Sequence, residues 1–144
     1  MARPSNELLR KVPLFEAFED AELDRLAGEF FERSYRAGET LAGEGDSGRS
    51  FFVIEAGEVS VAVRDTVVGT LGPGANFGEI ALIDRQARSA TITADTDVHA
   101  FILPIWSFRP IVEHDPQMMW KLLESVAGRI RTIQERQLAG SSPA

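Results

Sequence analysis

Phe77-Gly78-Glu79-Ile80-Ala81-Leu82-Ile83-Asp84-Arg85-Gln86-Ala87-Arg88-Ser89-Ala90-Thr91 is the stretch on which the reading of this chain turns. It is entered through Leu71-Gly72-Pro73-Gly74-Ala75-Asn76, a turn that cannot continue a strand. Residues 79–83 have the composition of one or two helical turns, and Ala90-Thr91-Ile92-Thr93-Ala94-Asp95 alternates apolar with polar, as a half-buried strand does. A short helix is therefore expected between two strands. Its first amides lack an intrahelical acceptor and, with the helix dipole, favour a negative charge. Arg88 follows nine positions after Glu79, where the chain re-enters the strands, and its guanidinium is suited to the same anion as a bidentate donor. Glu79 beside an anion site is costly unless it has another task, such as accepting a hydrogen bond from a sugar hydroxyl. Together these groups describe a ligand with a small anionic head next to a hydroxyl, a phosphorylated ribose.

Outward from this stretch, residues 31–103 hold nine of the chain's 12 glycines, and short alternating runs such as Val59-Ser60-Val61-Ala62-Val63 lie between them. Short strands punctuated by glycine turns predict an all-β barrel or jelly roll. Helical spacing flanks it on both sides. Before it, over about 6–30, Leu8, Leu9, Val12, Phe15, Phe18, Leu23, Leu26 and Ala27 recur at helical intervals, with Pro13 separating a first short helix. After it, over about 105–137, Asp115-Pro116 is a helix start, an N-cap carboxylate followed by Pro at the first helical position. Met119, Leu123, Val126, Ile130 and Ile133 then follow at steps of 4, 3, 4 and 3, a packing seam against the barrel, a partner chain, or both. Trp106 and Trp120 are expected as hydrophobic anchors, His99 and His114 as isolated structural or surface residues, and Met1–Ser5 and Ala139–Ala144 as frayed tails.

Composition narrows the function classes. The 144 residues have the length of one domain, and 44% of them are hydrophobic, enough for a packed core. Fifteen Lys and Arg stand against 22 Asp and Glu, a formal charge of −7 that repels a phosphate backbone, so nucleic acid is not an expected partner. Zero cysteines exclude disulfides, thiolate metal sites and cysteine nucleophiles. No apolar run approaches the ~20 residues needed to span a bilayer, and Met1–Lys11 lacks the apolar segment of a signal peptide. A cytoplasmic chain with no membrane partner is the expectation. An enzyme on a cupin-like barrel would need a metal held by clustered histidines, and no G-x-S-x-G nucleophile motif occurs; an enzyme is not expected.

The stretch from Phe77 to Thr91 resembles the phosphate-binding cassette of the cyclic-nucleotide-binding domain family, the family of catabolite activators and of protein kinase A regulatory domains. The pattern there is roughly F-G-E, an aliphatic, A, L, an aliphatic, a short variable stretch, and R-[ST]-A-T. A second family stretch, roughly G-D-x-G-D-x-x-Y-x-I-x-x-G-x-V-x-V, is matched from Gly45 to Val61, with Arg49 where an acid is usual and Phe52 where Tyr is common. The resemblance covers roughly Leu8 to Gln137. It implies one cyclic-nucleotide-binding domain over 1–144: a β-barrel jelly roll (double-stranded β-helix), mainly β, with N-terminal helices and a C-terminal helical pair.

The resemblance further implies roles. Glu79 would accept from the ribose 2'-hydroxyl, Gly78 would let the backbone approach the ribose, and Ile80 and Ala81 would offer amides to the cyclic phosphate. Arg88 would pair with its charge, Ser89 would donate to the phosphate or a guanine, and Ala90 lies in the same ligand-binding segment. Val61 and Val68 match positions that pack on the purine, and Arg129 falls where an arginine covers the base in some bacterial channel domains. Ser89 permits cAMP and cGMP, with cAMP favoured as ligand and no other cofactor expected.

The implied function is a sensor that couples ligand binding to movement of the flanking helices and acts on an effector protein. The alternative is an interaction or dimerisation module with a ligand-free cassette, in which Glu79 and Arg88 form an internal ion pair and the seam joins a homodimer through the C-terminal helix. The chain is expected either as a stand-alone sensor or as part of a longer protein, with Met1 and the short tail favouring the former.

Overall fold

The computed structural model describes residues 2–46, 49–79, 81–84 and 87–141. Two short helices open the chain, α1 (Asn6–Arg10) and α2 (Asp20–Ala27), with a 3-10 turn at Pro13–Phe15 between them. Local chemistry starts both: Ser5 Oγ accepts from the Leu8 amide at 3.1 Å, and Glu22 Oε1 accepts from the Glu19 amide at 2.8 Å, reaching back as half of a capping box. Eight strands follow: β1 (Phe31–Tyr35), β2 (Thr40–Ala42), β3 (Ser50–Ala56), β4 (Val59–Val63), β5 (Thr66–Leu71), β6 (Asn76–Phe77), β7 (Thr91–Ala94) and β8 (Val98–Pro104). A single-turn helix, α3 (Ala81–Asp84), interrupts them between β6 and β7. Two helices close the chain, α4 (Ile105–Glu113) and α5 (Pro116–Ser141).

The strands form two antiparallel four-stranded sheets, ordered β1-β8-β3-β6 and β2-β7-β4-β5. The expected mainly-β jelly roll with flanking helices is present, built from these two sheets. β3 and β8 are the inner strands of the first sheet. Their apolar runs do not alternate with polar residues, because both faces are covered. Phe51, Val53, Phe101 and Leu103 turn toward the helices, where they meet Phe15, Phe18, Leu23 and Phe108. Phe52, Ile54, Ala100 and Ile102 turn the other way, onto Val59 and Ile92 of the second sheet. Burying each of these large side chains stabilises by about 1.5–3 kcal/mol relative to exposure. Phe15 anchors the helical layer, stacked on Phe18 with centroids 5.6 Å apart and edge-on to Phe51 at 5.6 Å.

The start of α5 forms as its sequence dictates. Asp115 Oδ1 accepts from the amides of Gln117 and Met118 at 3.1 and 3.2 Å, and Asp115 Oδ2 takes the Arg25 guanidinium at 2.7 Å. The predicted seam is displaced. The buried face is Met118, Leu122 and Ser125, while Leu123, Ile130 and Ile133 are each more than half exposed. Both rows satisfy helical periodicity, and only the position of α4 and of the Pro13–Phe15 turn selects between them. Trp106 and Trp120 are about two-thirds exposed and anchor nothing in the core. Residues 139–141, expected in a frayed tail, belong to α5, which runs through Ser141, and the rest of that expected tail lies outside the described residues. His99 is not isolated: its ring nitrogens lie 2.8 Å from Glu55 Oε1 and 3.1 Å from Glu32 Oε2, joining β8 to both neighbours. Among the described residues no helix is long and apolar enough to cross a membrane.

Candidate functional site

Gly78 directly follows β6 with a φ of +85°, a left-handed conformation that glycine adopts without strain. Space demands the same residue. A Cβ there would lie 2.8 Å from the Ser50 carbonyl oxygen and would collide with the Arg88 guanidinium. The backbone at Gly78 is thus pressed directly against the cation.

Arg88 is held from two directions. Its amide donates to the Asp46 carbonyl at 2.8 Å, and its carbonyl accepts from the Gly45 amide at 2.9 Å. This reciprocal pair fastens it to the loop that precedes β3. Its guanidinium donates through Nη2 to the Ser50 carbonyl and lies over the Phe52 ring, 5.6 Å from the centroid. The side chain is half-buried, and no ion pair holds it among the described residues. Burial pushes its pKa below the ordinary guanidinium value, with the Asp46 carboxylate acting in the opposite direction. A guanidinium uses few of its five N–H donors on one carbonyl, so the group retains donors for an anion.

Glu79 is the second buried charge, only 8% exposed. It does not pair with Arg88. Its Oε1 accepts from Arg129 Nη1 of α5 at 2.5 Å, and its Oε2 is buried with no hydrogen-bond partner among the described residues. A buried carboxylate oxygen is costly to leave without a hydrogen bond. In place of the internal Glu79–Arg88 pair that the interaction-module alternative allowed, Glu79 forms a pair spanning 50 positions of sequence.

The remaining predicted residues lie on several elements. Ala81 opens α3, and Ile80 lies outside the described residues. Ser89 is exposed and Ala90 half-buried at the bend that leads into β7. Val61 packs against the inter-sheet core, whereas Val68 is 62% exposed at the bulge where β4 and β5 shift register. Arg129, expected over a base, rests on Glu79. Sequence reasoning missed the Ser50 carbonyl and the Phe52 ring as neighbours of Arg88. No local signal marks a carbonyl as an acceptor for a side chain 38 positions away. A cavity of about 220 Å³, lined by Leu14, Ile83, Val126, Ile130 and Ile133, borders the Glu79–Arg129 pair. The described residues hold no cluster of His, Asp and Glu fit for a metal ion.

A half-buried cation beside a glycine-tight backbone, and a buried carboxylate, are complementary to an anion carried next to a hydroxyl. Comparison with known proteins points the same way. The family model described as cyclic nucleotide-binding domain matches residues 32–115, more than half of the chain. A cAMP-dependent protein kinase type II regulatory subunit from Drosophila melanogaster is 28% identical over 131 residues, 91% of this chain; the chain spans 35% of that relative's length. Among solved structures, the N-terminal domain of a transcriptional regulator from Streptomyces coelicolor A3(2) superposes with a TM-score of 0.83 at 32% identity, covering 89% of this chain and 95% of that one. The catabolite activator protein of Thermus thermophilus gives a TM-score of 0.69 at 27% identity, with 89% of this chain and 63% of that one covered. The chain belongs to the cyclic nucleotide-binding domain family.

Proposed function

We propose that this chain is a regulatory sensor rather than an enzyme, that cAMP is its preferred ligand over cGMP, and that ligand binding repositions α5. The observation that carries this reading is the pairing of two incomplete charges on either side of Gly78. Among the described residues Arg88 has no carboxylate partner and Glu79 Oε2 has no donor. In this reading the cyclic phosphate takes the Arg88 guanidinium and the amides of Ile80 and Ala81. The ribose 2'-hydroxyl donates to Glu79 Oε2. Ser89 and Ala90 line the phosphate, and Val61 and Val68 meet the purine. The preference for cAMP draws support from the Drosophila relative, whose name carries that ligand.

Arg129 supplies the link to movement. It bonds to Glu79 Oε1, so a ligand that engages and re-aims this carboxylate also acts on the helix that carries Arg129. A ligand moves α5 only to the extent that it binds one arrangement better than another; converting a 1:99 population to 99:1 takes about 5.5 kcal/mol of differential affinity. The exposed stripe of Leu123, Ile130 and Ile133 supports self-association through α5, with an effector protein as the other partner; nucleic acid and membrane are not assigned. Titration calorimetry with cAMP, cGMP and AMP tests the reading. Arg88→Gln is expected to weaken cAMP by about 30-fold to several-thousand-fold, the cost of removing the partner of a desolvated charge. Binding within threefold of wild type refutes the role of Arg88, and equal affinities for cAMP and cGMP refute the preference. Spin labels on α5 and on β4 whose separation ignores saturating cAMP refute the coupling.

A further inference from the structure

An arginine that must receive an anion needs to be aimed without being neutralised. A carboxylate partner would aim it and also cancel the charge the ligand needs. The surroundings of Arg88 supply a different solution. The Phe52 ring lies under the guanidinium at 5.6 Å, within the range at which an aromatic face attracts a cation. That attraction is electrostatic, yet it leaves the cation's charge in place.

The ring is itself immobilised. Phe52 is 6% exposed and belongs to β3, which is paired on one side with β8 and on the other with β6. Across the β6 edge its register partner is Phe77, and the two rings stack with centroids 4.6 Å apart and planes 10° from parallel. Phe77 directly precedes Gly78, so the stack is continuous with the backbone that touches the guanidinium. Two strands and one loop therefore converge on one cation.

We propose that Phe52, seated on Phe77, is a positioning residue that aims the Arg88 guanidinium at the ligand's anionic group. The proposal rests on the cyclic-nucleotide reading for its affinity test and on no ligand for its spectroscopic one. Calorimetry compares cAMP with adenosine, which has the same base and sugar but no phosphate, on wild type, Phe52→Leu, Arg88→Gln and the double variant. Phe52→Leu is expected to weaken cAMP by about threefold to thirtyfold and to leave adenosine within about twofold. In the Arg88→Gln background it should add no weakening for cAMP. Equal losses for cAMP and adenosine, or undiminished loss without Arg88, would show that Phe52 serves only the core and would overturn the proposal.

In ligand-free protein, NMR should find the Arg88 side-chain protons shifted upfield by the ring in wild type and returned to ordinary values in Phe52→Leu; unchanged shifts overturn the proposal. If wild type binds no cyclic nucleotide, the functional reading fails while this spectrum still decides the aiming. Should Phe52→Leu not fold, Phe77→Leu, which removes the ring beneath Phe52 at a less buried position, is read by the same criteria with a smaller effect in the same direction.

Discussion

From Pro116 to Ser125, α5 is fastened by burial. Met118 and Leu122 sit in the helical core, Asp115 caps the first turn and binds Arg25, and Lys121 Nζ donates to the buried Glu22 at 2.6 Å. From Val126 to Ser141 the same helix turns Ile130 and Ile133 largely to solvent, and it reaches the sheets through the Arg129–Glu79 pair. One continuous helix thus has an end set by packing and an end that meets the candidate site through a polar contact. Packing is insensitive to a bound anion, whereas a carboxylate contact is not. The difference teaches where, in the proposed reading, a ligand would have leverage: on the second half, with the first half acting as a fixed base.

The largest test of this contrast is in the base. Met118→Ala and Leu122→Ala are each expected to lower stability by about 2–5 kcal/mol, whereas Leu123→Ala and Ile130→Ala should stay within about 0.5 kcal/mol. Urea unfolding at constant m-value measures both, and equal costs along the helix would erase the distinction between its halves.

Arg129→Ala comes next. It leaves Glu79 buried with neither oxygen bonded, at a cost of about 1–3 kcal/mol. Adding Glu79→Gln should recover part of that loss, because a neutral amide is cheaper to leave unpaired. A neutral Arg129→Ala would mean that something else holds the second half.

A calibration away from α5 should be smaller and opposite in sign. Arg64 and Asp65 turn the β4–β5 hairpin with φ of +51° and +66°, values that Asn and Gly adopt more readily. Arg64→Asn with Asp65→Gly is expected to raise the melting temperature, by about 0.5–1 kcal/mol of stability; a fall would show that the native turn side chains hold contacts worth more than the strain.

The smallest expected effect is at the α5 cap. The Arg25 guanidinium, together with the amides of Met118 and Gln117, holds the Asp115 carboxyl below the usual carboxylate range. A depressed carboxyl contributes stability that is present above its unfolded pKa and lost as pH falls through its folded value. Amide exchange in residues 116–122 should therefore accelerate below about pH 4, and Asp115→Asn should flatten that dependence. Acceleration confined to the second half instead would reverse the assignment of fixed and movable ends.

The sequence pattern reaches the β-roll, its helical flanks and the Asp115-Pro116 helix start, since each depends on local periodicity or local capping. It placed the seam of α5 one residue away from the buried face, because Met118-Leu122 and Met119-Leu123 are equally helical in spacing and differ only in what lies opposite them. It does not show how the strands divide between two sheets, since alternation tells which residues share a face but not which strands pair. At the site, the spacing from Gly78 to Arg88 was legible; the partners of the two charges were not.

What the amino-acid order alone determined is the set of short-range features: glycine where φ must be positive, a carboxylate where a helix begins, an arginine a fixed distance beyond a glycine and a glutamate. Backbone chemistry acts over a few residues and needs no tertiary context. Only the folded arrangement decided that Glu79 meets Arg129 across 50 positions, that Arg88 rests on Phe52 and the Ser50 carbonyl, and that half of α5 stays uncovered. Those outcomes depend on which surfaces meet when the sheets and helices pack, and that is a property of the whole chain at once.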